Sequence, residues 1–220
     1  MKLSRALSEG LYGKLEYDFA CSRGHGFSET YMHGVILEIA AAHVNPKLLS
    51  IEPNHIVEEI QDPAKATGSF RKVDLAIVER ASKELKVCIE AKWAASPHAS
   101  SNNVLVDLCR LALISAGHPK AECFFVLAGP KDNTLNLQRK PLFDPRVASH
   151  TLHQLLRFDG IESSFTILNS GNANSDLSNK ERIALNQKMS VLPRRISALP
   201  VGQNYPAMPN WRVHVWRIRH

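Results

Sequence analysis

Val73-Asp74-Leu75-Ala76-Ile77-Val78 and, after the polar break Arg80-Ala81-Ser82-Lys83-Glu84, Val87-Cys88-Ile89-Glu90-Ala91-Lys92-Trp93 are two apolar runs of strand length, each holding a carboxylate. Strand side chains alternate faces, so Glu90 and Lys92 point one way and Ile89 and Ala91 the other. The two runs predict a hairpin, and pairing them brings Asp74 beside Glu90. Two carboxylates and an ammonium converging at a sheet end suit a hard divalent cation next to a water and a phosphate. The plainer reading makes Asp74 and Glu90 surface charges paired with Lys72 and Lys92. The apolar residues on both faces of these runs argue against it, because a buried carboxylate without a partner is costly.

The flanking segments predict the rest of a core over residues 27–130. Ser28-Glu29-Thr30 caps a helix through Gly34–His43, and Asn45-Pro46 stops it. Leu48–Gln61 reads as a strand that carries His55, a structural histidine. Val104–Ile114 has helical leucine spacing and ends at Gly117-His118-Pro119. Cys123–Ala128 is a continuous apolar run, as in a buried parallel strand. The order is helix, three strands, helix, strand, with a right-handed crossover expected between the last two strands.

Asp74 followed by Glu90-Ala91-Lys92 resembles the PD-(D/E)xK, or restriction-endonuclease-like, nuclease superfamily. Val73 stands where that pattern has Pro. The resemblance implies an α/β fold with an αβββαβ core, a mixed central sheet and flanking helices. It further implies catalytic Asp74, Glu90 and Lys92, with Glu38 reaching in from the preceding helix. Asp74, Glu90 and the Ala91 carbonyl are then the expected Mg²⁺ ligands, with Mn²⁺ able to substitute and Glu38 serving a second metal. Lys92 orients the water or stabilises developing charge. The expected activity is endonucleolytic hydrolysis of phosphodiesters in DNA, with a homodimer as one expected assembly. The alternative is a catalytically inactive nucleic-acid-binding or regulatory module on the same fold.

Composition bounds these readings. At 220 residues, 44% hydrophobic and 22% charged, the chain suits one globular domain. No apolar run reaches membrane-spanning length, and the first ten residues do not read as a signal peptide. Cys21, Cys88, Cys109 and Cys123 form no CxxC pair. They read as small buried hydrophobes in a reducing compartment, which predicts a cytoplasmic location.

Net charge is +6, and eight Lys/Arg face a single acid, Glu181, between Lys180 and His220. That excess predicts phosphate contacts from Arg194, Arg195, Arg212, Arg217 and Arg219. Its competitor is a solvated basic face. Arg110 either contacts the scissile phosphate or pairs with Asp107, three residues away on the same helix. Ser96 and His98 follow the motif strand and are candidates to line the cleft, whereas Trp93 reads as core.

Beyond residue 130 a loop at Pro130–Asn133, a helix at Val147–Phe158, a strand at Ser164–Leu168 and a helix at Lys180–Ser190 are expected. Ser170–Asn179 reads as a polar connector. Trp211–Arg219 alternates as a strand and is expected at a sheet edge.

Overall fold

Hydrophobic period decides most of the elements. A computed structural model describes residues 2–61, 70–140, 143, 155–158, 160–167, 175–202 and 210–220. In chain order it has α1 (Leu3–Ala20), α2 (Glu29–His43), β1 (Leu49–Ile56), β2 (Lys72–Glu79), β3 (Leu85–Trp93), α3 (Ser101–Gly117) and β4 (Glu122–Pro130). There follow α4 (Lys131–Gln138), β5 (Ser163–Thr166), α5 (Asn179–Lys188), β6 (Arg195–Pro200) and β7 (Trp211–Arg219). The Ser28 hydroxyl accepts the Tyr31 N–H at 3.2 Å and so starts α2 where the capping sequence places it.

The seven strands form one mixed sheet in the order β1-β2-β3-β4-β7-β6-β5. β1, β2 and β3 are antiparallel neighbours, and β3 pairs with β4 in parallel through α3. Helices cover both faces. On one face α3 and α5 pack Leu105, Leu108, Leu111 and Leu185 against Cys88, Phe125, Leu127, Trp216 and Ile218. On the other, α1 and α2 pack Leu7, Leu11, Leu15, Met32 and Ile36 against Leu75, Ile77, Ile89, Phe124, Val126 and Val215. Each such fully buried side chain contributes roughly 1.5–3 kcal/mol, so the two layers stabilise the sheet from both sides.

Three expectations are corrected. β7 is not an edge: it lies between β4 and β6. Its Trp211, Val213 and Val215 meet the α1/α2 layer while Trp216 and Ile218 meet the α3 layer. Apolar residues on both faces mark an interior strand, and the arginines had masked that signal. The basic C-terminal segment therefore completes the central sheet rather than extending from it. Pro130–Asn133 is not a loop, because α4 begins at Lys131, directly after Pro130, and Asp132 sits in its first turn. Cys21 is exposed, unlike the other three cysteines.

β1 is shorter than expected. Asn54 takes a left-handed φ of 54° within it, and the chain turns into a short 3-10 segment at Glu58–Ile60. Of the predicted helix at Val147–Phe158, residues 147–154 lie outside the described residues, as do 170–174 of the polar connector.

The ends of β3 and β4 approach closely. The Ala94 N–H donates to the Ala128 carbonyl at 2.7 Å. Gly129, at φ 153°, has no room there for a side chain, since an added Cβ falls 2.9 Å from that of Ala94.

Candidate active site

The β2–β3 ladder runs from Val78 up to the pair Leu75↔Ile89 and stops. Continuing the register by one step sets Asp74 opposite Glu90. The Asp74 carboxylate instead accepts the backbone N–H of Ala91 at 2.7 Å. Alternation also breaks at this point: Val73 packs with the α3 layer although Leu75, two residues on, packs with the α1/α2 layer. Asp74 thus sits where β2 turns over, between the two faces.

Glu90 and Lys92 share the face of Cys88, toward α3. Glu90 is buried at 1% exposure. Asp107 and Arg110, three apart on α3, come down onto it. Arg110 Nη1 lies 3.0 Å from Glu90 Oε1 and 3.3 Å from Asp107 Oδ1, and Lys92 Nζ lies 3.1 Å from Asp107 Oδ2. Arg110 Nη2 also donates to the Lys72 carbonyl, tying α3 to the first residue of β2. Arg110 and Asp107 do pair, but each also reaches across to β3.

The cluster is electrostatically tight. Burial pushes the Glu90 carboxyl well above the ordinary glutamate range, and the Asp107 and Asp74 charges push it further, against Arg110 and Lys92. Burial also raises Asp107, against the pull of Lys92 and Arg110. Burial disfavours the charge on Lys92, but Asp107, Asp74 and Glu90 outweigh it and raise its pKa. Lys92 is therefore an ammonium across the whole physiological range. Glu90 Oε1 and Asp107 Oδ2 lie within ion-pair reach of Arg110 and Lys92, yet neither has an aligned hydrogen bond.

The opposite side of Asp74 faces α2. His33 Nε2 lies 3.7 Å from Asp74 Oδ2 and is a buried atom without a hydrogen-bond partner. A cavity of about 280 Å³ opens there, lined by Thr30, His33, Gly34 and Leu37 of α2 together with Pro53, Asn54, Asp74, Ile89 and Ala91. Sequence reading missed His33. The spacing of Thr30, His33, Gly34 and Leu37 marks one helix face and could have found it. Glu38 is exposed and does not line this cavity. Its apolar neighbours do not bring it inward, and His33 is the α2 residue that meets Asp74. Ser96 and His98 likewise lie outside that lining, and Trp93 is core at 5% exposure.

The five arginines do not share one surface. Arg212 pairs across Gly129, near where β3 and β4 end. Arg217 and Arg219 have the parity of Val213 and Val215, on the α1/α2 face, and lie toward the start of β4. Arg195 lies further that way, since Ser197 pairs with Arg219. Arg217 is held by Glu122 at 2.7 Å and stacks over the Phe124 ring. Arg195 donates to the Ser164 hydroxyl, and Arg194 and Arg219 are exposed. A larger hollow of about 450 Å³, with Lys120, Glu122, Arg217 and Arg219 in its walls, sits at that end, away from Asp74 and Glu90.

The donor chemistry fits Mg²⁺: Asp74, Glu90 and a backbone carbonyl are hard oxygens, and Glu90 Oε1 lacks an aligned partner. Among the described residues no group of three side-chain ligands gathers, so two carboxylates and the backbone would carry the ion. No helix among the described residues is long and apolar enough to cross a membrane. No family model, curated protein or solved structure matches this chain. The chain is a mixed α/β protein with a buried carboxylate–ammonium–guanidinium cluster at a strand junction.

Proposed function

We propose that the chain is a metal-dependent nuclease hydrolysing phosphodiesters in DNA, on a restriction-endonuclease-like core. One observation carries the reading. At the point where the β2–β3 ladder ends, one register step beyond Leu75↔Ile89 sets Asp74 across from Glu90, and the half-buried Lys92, two residues along, is held by Asp107. Asp74 and Glu90 would hold the ion, with the Ala91 carbonyl as third ligand. The chemistry Mg²⁺ supplies in such a site is neutralisation of phosphate charge and a more acidic bound water.

The protein's own groups do the positioning. Asp107 fixes Lys92, whose raised pKa keeps it protonated, so it can donate to a phosphate oxygen or orient the attacking water. Arg110 supplies a countercharge that opposes the upward push of burial on the Glu90 carboxyl. Supercoiled plasmid, linear duplex, single-stranded DNA and RNA, each with Mg²⁺, Mn²⁺ or EDTA, test the activity. Cleavage that needs metal and disappears in Asp74→Asn and Glu90→Gln is expected. Undiminished cleavage by either variant refutes the assignment.

A second reading rests on the same cluster. Arg110 already answers Glu90 and Asp107 already answers Lys92, so the charges are balanced internally. An inactive nucleic-acid-binding module on this fold would bind DNA with or without EDTA and cut none of it.

A further inference from the structure

We infer that the cavity between α2 and the start of β2 takes one nucleobase next to the scissile phosphate, so that the substrate is single-stranded DNA or DNA with an extruded base. The inference rests on the nuclease reading for the phosphate, and on the cavity itself for the base. At about 280 Å³ it lies just below the roughly 300–1,000 Å³ usual for small-molecule sites, a size for a single ring system and its sugar. Leu37 and Pro53 offer apolar surface to ring faces, while Thr30, His33 and Asn54 offer polar groups to a ring edge.

Two independent observations point to an occupant. His33 Nε2 is a buried atom with no hydrogen-bond partner, its nearest counter-group being Asp74 Oδ2 at 3.7 Å. Gly34 sits inside α2, where glycine costs roughly 1 kcal/mol relative to alanine. Packing does not require it: a Cβ there meets nothing within 4 Å. A bare backbone in mid-helix therefore leaves open the wall of a cavity that touches Asp74. A base stacked in a duplex cannot enter such a recess, so the nucleotide must be unpaired or rotated out of the stack.

Gly34→Leu starts from a position where a Cβ meets nothing within 4 Å, puts bulk at the cavity wall and removes a helix-interior glycine, so it should fold. Gly13→Leu, in α1 and also with nothing within 4 Å, is the matched control. Both are compared with the parent protein on a single-stranded oligonucleotide and on the same strand carrying an abasic site next to the cut. The parent should prefer the intact strand. In Gly34→Leu that preference should fall by on the order of tenfold to a hundredfold, as loss of one stacked base implies. Gly13→Leu should keep it. An unchanged preference in Gly34→Leu overturns the inference while the nuclease reading stands. If no protein cuts with Mg²⁺ or Mn²⁺, the nuclease reading fails, and deoxynucleoside monophosphate binding decides the pocket. Binding lost only in Gly34→Leu upholds it, and absent or equal binding overturns it.

Discussion

The junction of β2, β3 and α3 and the region where β4 begins both carry several charges, but they hold them differently. At the junction Glu90, Asp107, Lys92 and Arg110 are at most 15% exposed in their side chains and are linked in a chain by ion pairs of 3.0–3.3 Å. Around the start of β4, Arg194, Arg195 and Arg219 are exposed, and Lys120 is 84% exposed. Charges in water are screened and nearly independent. Buried charges depend on one another, because each partner replaces solvation the others have lost. The first region therefore behaves as one unit with several protonation states, and the second as a set of separate cations.

The contrast is broken most forcefully by removing one buried partner. Arg110→Leu takes the guanidinium away from Glu90, leaves Asp107 with Lys92 alone, and should cost about 3–5 kcal/mol in denaturant unfolding at neutral pH. Arg219→Ala should stay within about 0.5 kcal/mol of the parent. Equal losses in the two variants would erase the distinction between the regions.

Lys92→Met tests the chemistry of the same unit. On the proposed nuclease reading it removes the ammonium that would meet the phosphate, and should lower metal-dependent nicking on the order of 10²–10³-fold. Nicking at the parent rate would take Lys92 out of the site.

Glu90→Gln sharpens the contrast through pH. The folded chain holds the Glu90 proton more tightly than the unfolded chain does, since its carboxyl is raised above the ordinary 4.5. The stability this proton brings is complete below that ordinary value and is lost as pH rises through the raised one. Removing the group should leave stability unchanged at acid pH and raise it at alkaline pH. A variant less stable than the parent at every pH would show that the ionised form is favoured on folding.

The smallest effects belong to the exposed arginines. Neutralising Arg194, Arg195 and Arg219 together should lower the slope of log affinity against log salt for DNA by about one per true contact. Arg217, already paired with Glu122, should contribute least. An unchanged slope in the triple variant removes this surface from DNA binding.

Much of the framework was legible because local pattern carries it. β2, β3 and β7 fall on the apolar runs that predict them, and Ser28 caps α2 as its side chain requires. The candidate site was legible only in part. Period two puts Glu90 and Lys92 on one face, but it cannot show that Asp107 and Arg110 descend onto that face, since the α3–β3 contact is a matter of packing. Glu38 illustrates the converse, because apolar neighbours in sequence do not say which side of a helix meets the sheet.

By itself the sequence determined the order of elements from α2 to β4, the β2–β3 hairpin that can bring Asp74 next to Glu90, and the charge excess after Lys180. These follow from alternation, capping and composition, which act over a few residues. Tertiary structure alone decided that β7 lies inside the sheet, that the basic residues scatter over different faces, and that His33 rather than Glu38 approaches Asp74. It alone formed the ion-pair cluster and the cavity beside Gly34. Those features depend on which surfaces meet across tens of residues of chain, and the cost of burying a charge is set by the partner that arrives from elsewhere.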